Sequence, residues 1–427
     1  MAGRRPEARM PGRHRAARRV LTGLLALLLL AGLAAAGLLG YARYQQIQVA
    51  QRQEKLASFY TIPSPLPAGS PGRLLRAQRV SFAPQGSQGW RVLFESQGPD
   101  GEATVSSGMV FAPSTAPPPG GRPVVVWAHG TAGMGEECAP SRSANPLAQL
   151  DWLGGMLARG WVVTAPDYAG LGTPGVMRFL VGPPEGMDLL NSVRAARSLD
   201  HSGAGSRFAL WGHSQGGQSV LFAAQMASSY APELQLVAAG VAAPAAQLVP
   251  LIREQYANAL AWAIGPEVGV AWPATYADLR PEQVMTPAAL RTYKQVAELC
   301  VLVSGVEGIL REDLLGQRFF ATDPTSVPAW SAALVANTVP LPPTGLPVYL
   351  AQGLADQVIL PNTTALLEQR YCSAHVPLSA EWMGGVGHVK VATAAGPQVT
   401  AWLADRFAGS PAGTSCAEPP PVSPAAP

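Results

Sequence analysis

The chain has 427 residues, of which 48% are apolar and 13% charged, so it is long enough to bury a large core and to form more than one structural unit. Residues 1–19 contain seven arginines and one glutamate, a formal charge of +6, whereas the whole chain carries +3, which leaves about −3 on residues 20–427. The basic character therefore belongs to the amino-terminal segment. The remaining sequence has no basic stripe of the kind that a nucleic-acid-binding face requires, which excludes nucleic acid as a partner.

Residues 20–41 (VLTGLLALLLLAGLAAAGLLGY) contain no charged side chain and, as a helix, would span a hydrocarbon core of about 30 Å. One interpretation is a signal peptide cleaved near the three alanines at 34–36. The other is a transmembrane anchor whose preceding arginines stay in the cytoplasm. We favour the anchor because the run exceeds the roughly 7–15 residues of a signal-peptide apolar region. Both interpretations predict that residues 42–427 are extracytoplasmic.

The chain contains four cysteines: Cys138, Cys300, Cys372 and Cys416. An even, small number of cysteines in an exported chain favours disulfides, and the spacing alone leaves all three connectivities open. The sequence has no CxxC pair and no cluster of histidines and cysteines, so it does not predict a zinc site.

Residues 42–76 are expected to precede the main folded core. The polar first part, 42–58, is rich in helix-forming residues and predicts a helical stalk, whereas 59–76 contains several prolines and predicts an extended lead-in. Three strands follow, at 78–83, 90–95 and 103–112.

From Pro123 the pattern alternates between apolar strands and helices. The run VVVWA at 124–128 is typical of a strand buried on both faces, and 144–159 has the apolar spacing of a helix. Further strands are predicted at 160–168, 207–212, 234–244, 347–353 and 379–385. Further helices are predicted at 186–199, 218–229 and 391–407. Repeated β-α-β units predict an α/β fold with a mostly parallel central sheet flanked by helices.

The alternation stops at residues 245–345, which are apolar, helix-prone and punctuated by proline. Structureless loops longer than about 15 residues are uncommon, so we interpret this stretch, the cap segment, as a helical cap. It would be inserted into a core formed by 77–244 and 346–408. The Pro-rich tail at 409–427 is expected to be disordered beyond Cys416.

The sharpest motif is GHSQG at 212–216, which directly follows a predicted strand and directly precedes a predicted helix. In that context a G-x-S-x-G sequence forms a tight turn that exposes the serine hydroxyl, with glycines where a Cβ would not fit. The amide end of the following helix favours developing negative charge. We therefore predict that Ser214 is a nucleophile.

A serine hydroxyl needs a general base, and in this fold the base follows the acid in the chain, which leaves His375 and His388. His388 lies in a Gly-rich loop between a strand and the last helix, whereas His375 precedes a strand. We predict that His388 is the base. His213 is expected to point away from Ser214 on the tight turn.

Asp356 is the predicted acid. It lies just after the strand 347–353 and is the only carboxylate between Asp323 and Glu368. Its role would be to accept a hydrogen bond from the imidazole of His388 and to stabilise the imidazolium. The alternative is an exposed loop aspartate that caps the next helix.

The oxyanion requires preorganised donors, each worth about 3–4 kcal/mol in the transition state. One is expected to be the backbone N–H of Gln215, the residue after the nucleophile. The other is expected in the oxyanion loop (residues 129–133, HGTAG), with Thr131 the first choice and Ala132 the next. Asp167, which follows another strand, is expected to have a structural role.

Several separated motifs in this order resemble the secretory lipase family, which includes fungal lipase A proteins and exported bacterial relatives. The resemblance covers roughly residues 59–408. It is carried by FYTIPSPLPAGSPG at 59–72, PVVVWAHGTAG at 123–133, CAPS at 138–141, PDYAGLGTPG at 166–175, GHSQGG at 212–217 and the loops around Asp356 and His388.

The resemblance implies the α/β-hydrolase fold and hydrolysis of carboxylic esters, with acyl chains entering beneath the cap segment. It also implies the disulfides Cys138–Cys300 and Cys372–Cys416. The expected substrate is a small-molecule ester or lipid, and no cofactor or metal is expected. An acyltransferase or a peptidase would use the same residues, and a non-catalytic binding module would retain the fold without the chemistry. The sequence predicts neither the acyl chain length nor the oligomeric state.

Overall fold

The computed structural model describes residues 44, 46–63, 66 and 69–427 and divides into two compact units, Met1–Ser58 and Phe59–Pro427. The predicted anchor or signal peptide at 20–41 lies outside the described residues. In the first unit the described residues, 44 and 46–58, are helical, as predicted for the stalk. Within the described ranges, no helix combines the length and the apolar character needed to cross a bilayer.

The second unit is built on one nine-stranded sheet. In chain order the strands are β1 (Leu74–Val80), β2 (Ser87–Gln97), β3 (Ala103–Pro113), β4 (Arg122–Ala128), β5 (Val162–Pro166), β6 (Ala204–His213), β7 (Gln235–Ala242), β8 (Val348–Gly353) and β9 (Leu378–Met383). Their order across the sheet is β1-β2-β3-β5-β4-β6-β7-β8-β9. The first three strands pair antiparallel, as does β3 with β5, and all pairings from β5 to β9 are parallel. This confirms the predicted mostly parallel sheet.

Helices flank the sheet. In chain order the α-helices of the second unit beyond residue 60 are α1 (Leu153–Ala158), α2 (Gly182–Ser198), α3 (Gln215–Tyr230), α4 (Leu248–Gln255), α5 (Leu260–Ala271), α6 (Pro287–Ala297), α7 (Val301–Ile309), α8 (Pro328–Ala336), α9 (Pro361–Ser373) and α10 (His388–Phe407). Helices α4 to α8 all lie within the cap segment, which is therefore helical, as its composition predicts.

The central strands are buried because both faces of the sheet are covered. Residues 124–128 of β4 and all residues of β5 and β8 are buried, which explains their continuous apolar sequences. Trp127 and Trp211 contact each other across neighbouring strands, with ring centroids 6.0 Å apart. This packing fixes the strands whose ends carry the site described below.

Two predicted elements differ from the structure. The helix expected at 144–159 begins only at Leu153, and the preceding residues form successive turns in which, for example, Leu150 N–H donates to Leu147 O at 2.9 Å. The N–H groups of Ala148, Leu150 and Leu153 each bond to the carbonyl three residues earlier, so this stretch forms 3₁₀-type turns instead of an α-helix. The strand expected at 78–83 runs from Leu74 to Val80, because its pairing with β2 ends before the turn at Pro84.

The expectation that the tail is disordered beyond Cys416 is wrong. The structure contains the two implied disulfides, Cys138–Cys300 and Cys372–Cys416, and the second attaches the tail to α9. Further along, Ala425 is buried and its N–H donates to the carbonyl of Asn362 at 2.9 Å. Covalent attachment and this packing hold a segment that its composition alone would leave unfolded.

Candidate active site

Ser214 lies on a strained turn between β6 and α3. Its backbone has φ 57° and ψ −119°, a conformation that costs a non-glycine residue about 1–3 kcal/mol. A Cβ on Gly212 would lie 2.4 Å from the carbonyl oxygen of Gly216, and a Cβ on Gly216 would lie 2.0 Å from that of Ala128. Glycine is therefore required on both sides of the serine, as the motif predicts.

The predicted base and acid lie beside Ser214. Nε2 of His388 is 3.0 Å from Oγ of Ser214, and Nδ1 of His388 is 2.8 Å from Oδ2 of Asp356. With Nδ1–H donating to the carboxylate, Nε2 is free to accept the serine proton. The three side chains therefore form one continuous hydrogen-bonded chain.

Asp356 is fully buried and is held from the other side by backbone amides. Its Oδ1 accepts hydrogen bonds from the N–H groups of Val358 and Ile359, at 2.8 and 2.9 Å. Both carboxylate oxygens thus have donors, which compensates for the removal of the charge from water. The alternative of an exposed helix-capping aspartate is wrong.

The sheet topology explains how residues so distant in sequence meet. Ser214 follows β6, Asp356 follows β8, and His388 follows β9 as the first residue of α10. Because β6 to β9 are parallel neighbours, these three positions lie at the same carboxyl edge of the sheet.

The two predicted oxyanion donors also reach this edge. Gln215 is the first residue of α3, and Thr131 follows β4; both line the same cavity as Ser214. Among the described residues, neither backbone N–H has a hydrogen-bond acceptor. Ala132, the second choice, does not line the cavity, and its carbonyl accepts from Val301 N–H at 2.9 Å.

The other polar residues that the sequence suggested have structural positions. Asp167 is buried and accepts hydrogen bonds from Ser107 Oγ at 2.6 Å and from Ser141 N–H at 2.9 Å, so it holds the CAPS loop. His129 is buried against Tyr168, and burial lowers its pKa. Neither Asp167 nor His129 forms a side-chain hydrogen bond with Ser214.

His213 was expected only to point away from Ser214, and the structure shows that its ring packs on the ring of His388 with centroids 4.6 Å apart. Its Nε2 lies 3.0 Å from the backbone carbonyl of His388. Burial first, and then the charge of His388, lower the pKa of His213 to about 3, so it is a neutral donor. Its position inside the motif gave no signal for this contact.

An apolar cavity opens at Ser214 and extends between the core and the cap segment. It holds about 840 Å³ of space, part of it open to solvent, and its walls include Leu251, Ile264, Val268 and Trp272. Trp272 stacks on Trp330, with centroids 6.1 Å apart and planes at 19°, and both rings line the cavity. This apolar cavity can accommodate a hydrocarbon chain next to the nucleophile.

A group of buried carboxyl side chains behind the site was missed at the sequence level. Glu185, in the first turn of α2, is buried, and burial raises its pKa to about 8; burial also raises the pKa of Asp188 to about 7. Glu267 on α5 is 1% exposed, and neither of its carboxyl oxygens has a hydrogen-bond partner within the described part of the chain. The prolines at 183–184 signal a helix start one turn earlier than predicted, which would have placed Glu185 in that helix.

The described residues contain no group of three or more histidine, cysteine or acidic side chains arranged to hold a metal ion. The polar groups that converge on the cavity are instead the hydroxyl, imidazole and carboxylate of Ser214, His388 and Asp356 and the free amides beside them. Such a set can activate a nucleophile and bind developing negative charge.

A family model described as secretory lipase matches residues 147–415, more than half of the chain. The chain belongs to the secretory lipase family. This confirms the resemblance that the motifs carry.

Two relatives of this secretory lipase family protein align over most of its length. A protein of Mycobacterium tuberculosis, named a probable inactive lipase, is 26% identical over 83% of this chain and 82% of its own. A secreted triacylglycerol lipase of Malassezia globosa is 27% identical over 85% of this chain and 81% of its own. One of the two names denotes an active lipase and the other an inactive one, so the family alone does not assign catalysis.

Solved structures agree with the fold. Candida antarctica lipase A in its closed state superposes with a TM-score of 0.67 at 18% identity, over 86% of this chain and 90% of that chain. The rice cell wall degrading esterase LipA of Xanthomonas oryzae, in a ligand-bound form, gives 0.64 at 17% identity, over 79% and 98%. These matches establish the α/β-hydrolase fold for this secretory lipase family member.

Proposed function

We propose that this protein is an exported serine carboxylester hydrolase that cleaves acyl esters through a covalent acyl-enzyme. The observation that carries the proposal is the hydrogen-bonded chain from Ser214 through His388 to Asp356, whose serine lines an apolar cavity. The presence of all three side chains in contact supports catalysis, in spite of the relative that is named inactive.

In the proposed mechanism Ser214 Oγ attacks the ester carbonyl while His388 Nε2 takes its proton. Asp356 holds the imidazole in the required tautomer and stabilises the imidazolium. The oxyanion accepts hydrogen bonds from the N–H groups of Gln215 and Thr131, which have no other acceptor within the described part of the chain. His388 then protonates the leaving alcohol, and water activated by the same imidazole releases the acid and restores Ser214.

The substrate class follows from the apolar cavity. Its walls are almost entirely hydrocarbon, so an acyl chain would gain about 0.8 kcal/mol for each methylene removed from water. A charged or peptidic acyl group would lose its hydration there without finding partners. An ester with an apolar acyl chain is therefore the substrate that the cavity favours, and the helical cap segment would cover that chain.

Export is also part of the proposal. Both disulfides, Cys138–Cys300 and Cys372–Cys416, are typical of an oxidising compartment. The Malassezia globosa relative is named a secreted lipase. An extracytoplasmic location fits both observations. That residues 20–41 are retained as an anchor is a prediction from the sequence.

The experiment that tests this function is hydrolysis of p-nitrophenyl esters from acetate to palmitate by the full chain and by its Ser214→Ala variant. We expect turnover in the wild type only, rising with acyl length until the apolar cavity is filled. Addition of glycerol tests the acyltransferase alternative: product that partitions to the alcohol at low alcohol concentration would favour transfer. A folded, disulfide-bonded wild type that cleaves no ester would contradict the hydrolase assignment.

A further inference from the structure

Glu185 joins three parts of the site from behind. Its Oε1 accepts a hydrogen bond from the side-chain amide of Gln215 at 2.6 Å and another from the N–H of Leu180 at 3.0 Å. Its Oε2 is 2.6 Å from Oγ of Ser219, one turn further along α3. Gln215 and Leu180 both line the apolar cavity beside Ser214. One carboxyl group therefore connects the first turn of α3 with the cavity wall.

The contact with Gln215 has no substitute. The amide nitrogen of Gln215 donates this bond, whereas the amide oxygen, Oε1, is buried and has no partner among the described residues, so the bond to Glu185 is the one that fixes the Gln215 side chain. Ser219 Oγ also lies 3.1 Å from the backbone carbonyl of Gln215. Both the side chain and the carbonyl of the proposed oxyanion residue are thus linked to Glu185.

The hydrogen bonds fit a neutral acid. A protonated Glu185 would accept two N–H groups at Oε1 and donate from Oε2 to Ser219, whose hydroxyl could then donate to the Gln215 carbonyl. No described cation forms an ion pair with Glu185. A buried carboxylate without a counter-ion is costly, which favours the proton.

The groups that interact with Glu185 are acidic or neutral. Asp188 lies one turn further on α2, and a charge on it raises the pKa of Glu185. Glu267 belongs to α5 and Tyr168 follows β5, and a charge on Glu185 raises the pKa of each. A second cavity lined by Glu185 and Asp188 reaches exposed Glu102 and half-buried Arg178, which form an ion pair of 3.9 Å. This cavity gives solvent protons a route to the buried acid.

We propose that Glu185 is a positioning residue for ester hydrolysis, which as the neutral acid holds Gln215 and the first turn of α3 in place and which slows the reaction when it loses its proton. The inference rests on the proposed function. An ionised Glu185 would place a negative charge behind the amide that stabilises the oxyanion and would remove the donor to Ser219. Burial raises the pKa of Glu185 to about 8, so the loss of activity falls on the alkaline side.

Glutamine is the conservative variant, because its carbonyl oxygen can accept the two N–H groups and its amide can donate to Ser219, as the neutral acid does. Leucine retains the volume and removes all these bonds. The test is kcat and KM for p-nitrophenyl butyrate between about pH 6 and pH 10, with the full chain as wild type, Glu185→Gln, Glu185→Leu and Glu267→Gln, corrected for spontaneous hydrolysis. Thermal unfolding at neutral pH verifies that each variant is folded.

We expect the wild-type kcat to fall about tenfold above pH 8, and Glu185→Gln to keep its neutral rate throughout this range. Glu185→Leu should lose about 10- to 100-fold in kcat relative to the wild type at neutral pH, with a nearly unchanged KM, since the loss concerns the transition state. Glu267→Gln should retain the alkaline fall, because Glu267 forms no bond to Gln215 or Ser219.

An alkaline fall that survives in Glu185→Gln, or that disappears in Glu267→Gln instead, would overturn this inference and leave the hydrolase assignment intact. A folded Glu185→Leu with the wild-type kcat would do the same. If the wild type shows no turnover that depends on Ser214, the proposed function and this inference fail together.

Discussion

The ring of His213 packs against the ring of His388, with centroids 4.6 Å apart, and its Nε2 lies 3.0 Å from the backbone carbonyl oxygen of His388. Because His213 is neutral, this nitrogen can donate to the carbonyl, and the residue before the nucleophile thereby holds the first residue of α10. His388, whose imidazole is to accept the serine proton, is thus held at two points: Asp356 binds its ring nitrogen Nδ1, and His213 binds its backbone carbonyl.

Replacement of His213 by phenylalanine keeps the ring contact and removes the donor. We expect kcat/KM to fall about fivefold, which corresponds to the net value of one hydrogen bond of about 1 kcal/mol. Glutamine, whose amide reaches a similar distance, should restore part of the rate. The pH dependence of kcat/KM between about pH 5 and pH 8 should be unchanged in shape, because His213 with a pKa of about 3 does not titrate there. A new ionisation in that range would contradict this assignment.

Asp356→Asn should disturb the orientation of the His388 imidazole without preventing the protein from folding. An asparagine oxygen can still accept from Val358 and Ile359, so we expect the fold to remain, whereas the wrong tautomer of His388 should lower kcat by about 10³- to 10⁴-fold. Steady-state ester hydrolysis measures the loss. The matched control is Asp278→Asn, at an exposed position of the cap segment, which should retain full activity. Equal activities in the two variants would exclude Asp356 as the acid.

The oxyanion loop is clamped by the cap segment, since Ala132 O accepts from Val301 N–H and Met134 N–H donates to Ala297 O, both at 2.9 Å. Gly133 has φ +102°, and a Cβ there would lie 2.3 Å from the carbonyl of Leu299. We expect Gly133→Ala to displace the oxyanion loop and to lower kcat about 10- to 100-fold, a large part of the value of one oxyanion donor.

The control for this substitution is Gly120→Ala, which introduces the same strain at φ +84° but meets no atom within 4 Å. Both variants should lose a similar part of their stability from the backbone strain, about 1–2 kcal/mol. Only Gly133→Ala should lose catalytic rate. A normal kcat in Gly133→Ala would show that the oxyanion loop does not depend on its contact with residues 297–301.

The apolar cavity predicts chain-length selectivity. Val268→Trp should fill part of the cavity, so we expect hydrolysis of p-nitrophenyl palmitate to fall at least tenfold while the acetate rate is retained, since a short acyl group needs little of the space. Val303→Trp, at a side chain that is 55% exposed on α7, adds the same group outside the cavity and should change neither rate. Parallel loss of acetate and palmitate hydrolysis in Val268→Trp would place the acyl chain elsewhere.

The residues of the proposed triad could be predicted from sequence because each has a local signal. Ser214 is marked by two glycines that no other residue can replace, Asp356 by being the one carboxylate after its strand, and His388 by its position after the last strand. The continuous apolar runs of the parallel strands likewise predict burial on both faces. These features depend on neighbouring residues or on chain order alone.

The parts that were wrong or missed depend on contacts between distant segments. The position of His213 depends on where α10 begins, the buried network of Glu185 depends on α3 packing on α2, and the order of the tail depends on the Cys416 disulfide and on Asn362. Composition predicts a disordered tail and periodicity predicts a helix at 144–159. Both predictions differ from the structure because neither takes tertiary contacts into account.

The central claim is that Ser214 is an activated nucleophile, and covalent labelling of the folded full chain with a fluorophosphonate tests it most directly. Intact-mass analysis should show one adduct, and peptide mapping should place it on Ser214. Ser214→Ala should remain unlabelled, and Asp356→Asn should label far more slowly, because His388 is then in the wrong tautomer. A folded wild type that forms no adduct, or one on another residue, would contradict the account.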